Sequence, residues 1–378
     1  MFKLKKNVSL SGLLLFLVAS WHPDLFAVEV PFPQYAEITA NVNFWIKMYS
    51  LYTTSQAVVH DSVDLNIIYE VIDVKPFDAP GARTINHKSM KKVMVKYQTI
   101  LRKLASGQKS ANAAEGQRVA ALFGDKVERD VYSRAAENIR FQIGQKDRFM
   151  AGLIRSGAYI DQIREIFKAN GLPEDIAYLP HVESSFNVKA YSKFGAAGMW
   201  QFTRATGRRF MEVGYALDER RDPIRATHAA ARLLKENYAK LGDWPLALTA
   251  YNHGPGGMGR AKKIHGAYPQ IFTSYRSRIF KFASRNFYSE FLAARQVAQN
   301  YKNYFGAIAL DQPKPLHTVA LDGYCSLHDL SSHFGVFPET LIELNPALRP
   351  PVFAGQKLIP KGYSLNLPLL ANDGRTPI

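Results

Sequence analysis

Residues 171–186 decide the fold and the chemistry expected of this chain, and they run Gly-Leu-Pro-Glu-Asp-Ile-Ala-Tyr-Leu-Pro-His-Val-Glu-Ser-Ser-Phe. Ile176, Leu179 and Glu183 stand at positions i, i+3 and i+7, so a helix places Glu183 on the same face as two apolar residues. Pro180 lies within this helix and favours a kink there. A charged carboxylate on an apolar face is costly, so we expect a raised pKa for Glu183. A carboxyl group that is protonated at neutral pH suits general acid catalysis.

The next motif predicts a sugar-binding surface. Ser192 precedes residues 195–202, which run Gly-Ala-Ala-Gly-Met-Trp-Gln-Phe. The small residues allow a close approach of backbone or substrate, while an aromatic face and an amide suit a pyranose ring and its hydroxyls. Residues 184–211 contain no Asp or Glu. A glycosidase that uses two carboxylates therefore finds only Glu183 in the local sequence.

Several motifs in a fixed order resemble soluble-lytic-transglycosylase-type domains, and most of all the membrane-bound lytic murein transglycosylase D subgroup. The resemblance covers about residues 148–300. Its general motifs are Glu183-Ser-Ser-Phe, Ser192, Gly195-Ala, Gly198-Met-Trp-Gln-Phe, Thr206-Gly, Ala250-Tyr-Asn and Gly254-Pro-Gly. The subgroup motifs are Asp218-Glu-Arg-Arg-Asp-Pro and Gly242-Asp-Trp-Pro-Leu-Ala-Leu.

This resemblance implies a lysozyme-like α-domain that cleaves the MurNAc-β-1,4-GlcNAc bond of peptidoglycan and forms a 1,6-anhydro end without using water. Glu183 would then be the sole catalytic acid and base. The family's substrate-binding positions correspond to Ser192, Gln201, Tyr251 and Asn252. The Tyr251 hydroxyl would suit a hydrogen bond to Glu183 or to the muramoyl acetamido group.

Two of these features can be explained by a structural role instead of a functional one, and a third departs from the family pattern. Asn252 is equally suited to cap a helix that ends before Gly254. The charged residues of segment 218–222 are expected to form a structural ion network. Many family members carry an acidic-Thr pair before Tyr288, but this chain has Ser284-Arg-Asn-Phe in front of that tyrosine. How the helix is fixed beside the cleft is therefore open.

The sequence predicts a mainly α protein with a small α+β module at its C-terminal end. We expect a signal peptide at 1–27, an N-terminal helical region at 28–147 and the lysozyme-like catalytic domain at 148–312. Residues 313–368 resemble a glycan-binding LysM module with βααβ order, although Gly323-Tyr-Cys-Ser-Leu replaces the usual Gly-Asp-Thr-Leu start. Residues 369–378 are expected to fray.

The charge and composition of the chain limit the classes of partner that we expect it to bind. The formal net charge is +16, and 47% of the residues are hydrophobic, which fits an ordinary globular protein with an anionic partner. Between Asp78 and Glu115 there is no acidic residue, and the segment from Arg83 to Lys109 predicts a basic amphipathic helix. It suits either a solvated helix face or contact with an anionic wall or membrane surface.

The N-terminus indicates export. Lys3, Lys5 and Lys6 precede an apolar stretch, with a cleavage position after Ala27, as in a secretory signal peptide. An N-terminal membrane anchor is the alternative. With no Cys near that position, we expect a periplasmic or envelope protein without a lipid anchor. The expected partner is a peptidoglycan glycan strand rather than nucleic acid, and we expect a monomer.

Neither a cofactor nor a metal is predicted. Cys325 is the single Cys, which excludes an internal disulfide framework and a Cys-rich zinc site. His181-Val-Glu183 lacks the second His of a zinc-protease motif.

Two alternatives to the transglycosylase remain open. One is a goose-type lysozyme, a hydrolase that would need a further carboxylate close to Glu183. The other is a wall-binding scaffold whose lysozyme-like domain is inactive.

Overall fold

The computed structural model describes residues 30–76, 79–108, 113–124 and 127–369. The predicted signal peptide, residues 370–378 of the tail and Lys109 lie outside the described residues. Within them, no helix combines the length and the apolar character that crossing a bilayer requires.

The N-terminal region combines helices with a three-stranded antiparallel sheet in the order β2-β1-β3. The prediction of a purely helical region was incomplete, because three short segments rich in β-branched residues form strands. The β1 segment is almost entirely buried, so it shows no polar alternation that would have marked it as a strand. The elements are α1 (Thr39–Ser50), β1 (Gln56–Asp61), β2 (Ile68–Asp73), α2 (Ala82–Ser106), α3 (Ala113–Ala121), α4 (Arg129–Asn138) and β3 (Ile139–Ile143).

The middle of the chain is helical, which confirms the predicted mainly α fold. A 3₁₀ turn (Glu174–Tyr178) precedes α7. The helices are α5 (Lys146–Ser156), α6 (Ile160–Ala169), α7 (Leu179–Glu183), α8 (Arg204–Gly207), α9 (Pro223–Leu241), α10 (Trp244–His253), α11 (Pro255–His265), α12 (Tyr268–Ser274), α13 (Phe282–Gln299) and α14 (Tyr301–Phe305).

Helix α13 is the central element of this core. It packs against α1, α7 and α10, and eleven of its eighteen residues are buried. The aromatic residues Phe44, Trp45 and Tyr49 of α1 are also buried, as their spacing predicts, and they share one apolar cluster with α13. The N-terminal helix is therefore part of the hydrophobic core that supports the central helices.

The C-terminal module consists of a two-stranded antiparallel sheet with three short helices between its strands. The elements are β4 (Leu316–Ala320), α15 (Leu327–Phe334), α16 (Pro338–Leu344), α17 (Pro350–Phe353) and β5 (Ser364–Pro368). Leu217, from the preceding domain, is buried within the module's own apolar cluster. The Asp218 N–H donates to the Ala347 carbonyl at 2.8 Å, and Arg349 Nη1 donates to the Gly214 carbonyl at 2.9 Å. The module is thus fixed to the segment around residues 214–218.

The same segment carries a buried ion pair. Arg220 Nη2 lies 2.7 Å from Asp218 Oδ2, and both side chains are at most 5% exposed. Arg220 Nη1 also donates to the carbonyls of Gly195 and Phe202, at 2.8 and 3.0 Å. The predicted structural ion network is therefore present, and it supports the backbone of the 195–202 motif.

Changing Asp218 to Asn should destabilise the protein strongly. The change leaves the buried Arg220 charge without its counter-ion, which typically costs about 3–5 kcal/mol of unfolding free energy. The measurement is denaturant unfolding of the variant against Asp161→Asn, which removes an 85% exposed partner of Arg164 and should change stability by less than about 1 kcal/mol. Equal stability of the two variants would contradict this role for the buried pair.

Candidate active site

Glu183 is the last residue of α7, and the elements before it bury the apolar face beneath it. The chain changes from a 3₁₀ turn to an α-helix between Tyr178 and Leu179, next to Pro180, where a kink is predicted. Ile176 and Leu179 are fully buried, whereas Glu183 itself remains partly accessible. The carboxyl group therefore stands at the boundary between an apolar core and the surface.

The backbone directly after Glu183 is held in a strained turn. Ser185 and Phe186 have φ angles of 52° and 57°, in the left-handed region that non-glycine residues rarely adopt. Arg155 stabilises this turn by donating from Nε and Nη2 to the Ser185 carbonyl, at 3.1 and 2.6 Å. At Gly152 of α5, an added Cβ would lie 2.9 Å from the Ser185 Cβ. Only a glycine lets α5 approach this closely.

Burial raises the pKa of Glu183 to about 8, as the sequence predicts in direction, and the negative charge of Glu290 adds to this shift. At neutral pH Glu183 therefore holds its proton, which is the state that a general acid requires.

Glu290 is the site residue that motif reasoning missed. It lies on α13, and burial raises its pKa to about 8 as well, while the nearby Arg140 charge lowers it. The fold thus brings a second carboxyl group to Glu183 from a distant part of the sequence. One feature of the sequence could have identified Glu290. It is the single acidic residue in the largely apolar segment from Phe287 to Ala294, and Glu183 stands in a similar pattern.

Two tyrosines complete the surroundings of the carboxyl groups. Burial raises the pKa of Tyr251 on α10 and of Tyr49 on α1, and the charge of Glu183 contributes in both cases. The Tyr251 hydroxyl donates its hydrogen to the Trp200 carbonyl at 2.8 Å. Its oxygen lone pairs can still accept a hydrogen bond, so Tyr251 can receive a proton-bearing group but cannot at the same time donate to Glu183.

Ser192 and Gln201 lie on a loop that folds back on itself. Ser192 Oγ accepts hydrogen bonds from the N–H groups of Phe194 and Ala196, at 3.2 and 3.0 Å. Gln201 has a φ of 47°, and its Nε2 donates to the Gly198 carbonyl at 2.8 Å. An added Cβ at Gly198 would lie 1.7 Å from the Arg220 carbonyl oxygen, which explains the small residue there. The loop geometry presents both side chains in a partly buried position.

The predicted aromatic sugar platform is wrong for Trp200 and Phe202, because both side chains are core residues. Trp200 is 0% exposed and its Nε1 donates to Thr227 Oγ1 at 2.9 Å, while Phe202 is 2% exposed. The aromatic rings that this loop does expose are Tyr191 and Phe194, at 66% and 84%. The combination of aromatic rings and an amide predicts a sugar-binding surface, but the loop packs its largest residues inward.

Asn252 does not cap α10, which ends at Gly254. Its Oδ1 accepts a hydrogen bond from Ser284 Oγ on α13 at 2.8 Å. Further along α13, Asn286 Oδ1 accepts from Asn41 Nδ2 at 2.7 Å, and Tyr288 donates to the Pro33 carbonyl at 2.8 Å. These contacts fix α13 beside the site in place of the missing acidic-Thr pair.

His181 is a core residue rather than a ligand. Its ring stacks on Phe149 at 4.8 Å, and burial lowers its pKa to about 3, so it is neutral. In the part of the chain that the structure describes, no group of three His, Cys, Asp or Glu side chains has a metal-binding arrangement.

The candidate site residues lie in a part of the chain that is similar to known proteins. Residues 162–271 match the model of the Transglycosylase SLT domain family. This part of the chain is thus similar to a transglycosylase SLT domain. The matched range includes Glu183, Ser192, Gln201, Tyr251 and Asn252, whose individual roles stay predictions.

Two curated proteins are similar to parts of the chain. The chain is 26% identical over 234 residues to membrane-bound lytic murein transglycosylase D of Escherichia coli K12, an alignment that covers 61% of this chain and 52% of the relative. It is 38% identical over 101 residues to a putative tributyltin chloride resistance protein of Alteromonas sp. strain M-1, covering 26% of this chain and 48% of that protein. The chain therefore spans about half the length of these relatives.

A solved structure of an inactive mutant of the lytic transglycosylase Slt from Pseudomonas aeruginosa is 18% identical, with a TM-score of 0.34. The match covers 58% of this chain and 38% of that one.

Changing Glu290 to Gln should lower the pKa of Glu183. The neutral amide removes a negative charge that opposes ionisation of Glu183, so Glu183 loses its proton at lower pH. In a pH profile of kcat/KM, the alkaline limb should shift to lower pH by on the order of one unit or less. The exposed Glu165→Gln is the control and should leave the limb in place. An unchanged or upward-shifted limb in Glu290→Gln would show that the two carboxyl groups do not interact.

Proposed function

We propose that this protein is an exported peptidoglycan lytic transglycosylase that cleaves the MurNAc-β-1,4-GlcNAc bond and leaves 1,6-anhydro-MurNAc ends. The observation that carries the proposal is the carboxyl group of Glu183, whose pKa burial raises to about 8, within the residues that match the Transglycosylase SLT domain model. The relatives named as lytic murein transglycosylases support the same class of substrate.

In the proposed reaction Glu183 acts twice. Its carboxyl group first donates a proton to the glycosidic oxygen, so the C1–O4 bond breaks and GlcNAc leaves with a free hydroxyl. The resulting carboxylate then takes the proton of the muramoyl C6 hydroxyl while the C6 oxygen bonds to C1. Water is not consumed, and Glu183 ends the cycle protonated. The raised pKa keeps Glu183 protonated before the first step, and it makes the resulting carboxylate a stronger base for the second step.

The remaining predicted residues are proposed to bind the glycan. Tyr251 can accept a hydrogen bond from the protonated Glu183 or from a substrate N–H, because its own hydrogen is engaged by Trp200. Gln201, Ser192 and Asn252 supply amide and hydroxyl groups beside it.

A hydrolytic alternative rests on one specific observation, the second carboxyl group of Glu290. A hydrolase of the goose-type lysozyme class needs an ionised carboxylate to activate water. Burial raises the pKa of Glu290 to about 8, so at neutral pH it is mostly protonated and poorly suited to that task. The product distinguishes the two reactions, since anhydro-muropeptides are one water lighter than hydrolysis products. Intact sacculi would indicate an inactive scaffold.

Changing Glu183 to Gln should abolish product formation without unfolding the protein. The amide keeps the size of the side chain but has no proton to transfer, so turnover should fall at the upper end of about 10²–10⁴-fold. Stability at neutral pH should be unchanged or higher, because the carboxyl group must take up a proton when it is buried on folding, whereas the amide is already neutral. Mass spectrometry of sacculus digests gives the product and calorimetry the melting temperature. The exposed Glu174→Gln is the matched control, and near wild-type turnover in Glu183→Gln would refute the assignment.

We further propose that residues 316–368 are a LysM-like module that binds glycan. Its paired terminal strands with helices between them support this proposal, together with the sequence resemblance. The structure departs from the predicted βααβ order, because the short helix α17 follows α15 and α16. Deleting the module is a poor test, because Leu217 and the 214–218 segment depend on it for packing and hydrogen bonds.

A point variant tests the module more cleanly. Tyr324, between β4 and α15, is 69% exposed and offers an aromatic face. Tyr324→Ala should lower retention on sacculi in a pull-down assay, while cleavage of a short soluble substrate continues at the wild-type rate. Tyr215→Ala, which removes a 61% exposed ring outside the module, is the control. Equal retention of both variants would oppose a binding role for this surface.

We also propose that the N-terminal half of α2 contacts the anionic wall or membrane surface. Lys96 and Arg102 are engaged by acidic side chains of neighbouring elements. Lys88, Lys91 and Lys92 are exposed, and no ion pair involves them among the described residues. This half of the helix therefore offers an unneutralised basic surface.

A further inference from the structure

A pocket at the start of α13 has a strongly basic lining. It has a volume of about 450 Å³ and lies between the loop after β1 and the start of α13. Its lining residues are Ser62, Val63, Arg276, Ser277, Arg278, Phe280, Lys281, Phe282 and Arg285. Four of these side chains are cations and none is acidic.

The four cations are not neutralised by the protein. Among the described residues, no ion pair involves Arg276, Arg278, Lys281 or Arg285. Arg276 and Arg285 both donate to the Tyr275 carbonyl, at 3.1 and 3.4 Å, which brings two like charges together. Burial lowers the pKa of Arg285, and the positive charge of Arg276 lowers it further. An anion in the pocket would relieve this repulsion.

The backbone adds to the positive potential. Helix α13 begins at Phe282 in the wall of the pocket, and its N-cap residue, Lys281, makes no side-chain capping hydrogen bond. An eighteen-residue helix presents the positive end of its dipole at this point. The lining residues Ser62 and Val63 follow the buried Asp61. Asp61 Oδ1 accepts hydrogen bonds from the backbone N–H groups of Val63 and Asp64, so its carboxylate is already engaged by the backbone.

Contacts through α13 join this pocket to the proposed glycan site. Ser284, next to Arg285, donates to Asn252 Oδ1 at 2.8 Å. The guanidinium of Arg140 lies 4.2 Å from the centre of the Phe282 ring, and its charge acts on Glu290. The pocket wall at Arg285 and the contact to Asn252 at Ser284 are thus adjacent residues of α13.

We propose that the basic pocket binds carboxylate groups of the peptides that are attached to the muramic acid residues of the glycan. The proposal rests on the proposed function, because it assumes that the glycan lies against Asn252 and Glu183. Guanidinium groups bind carboxylates with paired, directional hydrogen bonds, and three arginines with one lysine in the same pocket suit more than one carboxylate. The protein would thereby prefer peptide-bearing glycan over bare glycan.

The test compares two double variants with the same change in charge. Arg276→Ala/Arg278→Ala removes two pocket cations, and Lys168→Ala/Lys302→Ala removes two exposed cations elsewhere. The substrates are glycan strands with intact peptides and the same strands after an amidase has removed the peptides. The pocket variant should lose about threefold to tenfold in kcat/KM on the peptide-bearing strands, the range expected for a few partly exposed ion pairs, and little on bare strands. The control variant should match the wild type on both.

Two results would overturn the proposal. One is an equal loss of kcat/KM of the pocket variant on both substrates, and the other is no loss on the peptide-bearing strands. Blocking the peptide carboxylates as amides gives a second readout, since it should remove the difference between the pocket variant and the wild type. Failure of the proposed function shows separately, because the wild type would then release no anhydro product from bare strands. In that case, calorimetric binding of a peptide-bearing disaccharide to the wild type and the pocket variant still tests the pocket.

Discussion

The cost of placing a carboxyl group against an apolar core is the constraint on which the rest of this structure depends. Glu183 holds its proton because α7 ends over buried Ile176 and Leu179. The chain must then turn sharply away, and it does so through two left-handed residues whose strain is offset by the Arg155 hydrogen bonds. Such a turn persists only when the surrounding structure holds it, which accounts for the close approach of Gly152 from α5.

The charges around Glu183 act in opposite directions. Glu290 opposes the ionisation of Glu183, whereas Arg140 favours the ionised form of Glu290. Two carboxyl groups that interact titrate as a pair, so a proton on one of them assists the other to ionise. In the proposed reaction Glu183 must be acidic first and basic afterwards. If Glu290 holds a proton while Glu183 is ionised, the repulsion between the two carboxyl groups is absent. The free-energy difference between the protonated and the ionised form of Glu183 is then smaller.

Local features of the site could be predicted from the sequence, but its long-range contacts could not. The helical spacing of Ile176, Leu179 and Glu183 fixes a buried carboxyl group and the direction of its pKa shift, because both depend on neighbours within two helical turns. The position of Glu290 beside it depends on how α13 packs against α7. The burial of Trp200 likewise depends on Thr227, its hydrogen-bond partner on α9. Sequence periodicity carries no information about such contacts.

Helix α13 connects Glu183 to the rest of the molecule, because successive turns of this helix contact different neighbouring elements. Its first turn borders the basic pocket, and Ser284 then contacts Asn252. Asn286, one turn after Phe282, is fixed to α1, and the charge of Glu290, a further turn along, acts on Glu183. A packed helix moves as a unit, because interiors have the density of crystals. A ligand that fixes the first turn would therefore also restrict the position of Glu290, and the proposed binding in the pocket would be coupled through one rigid element to the proton affinity of Glu183.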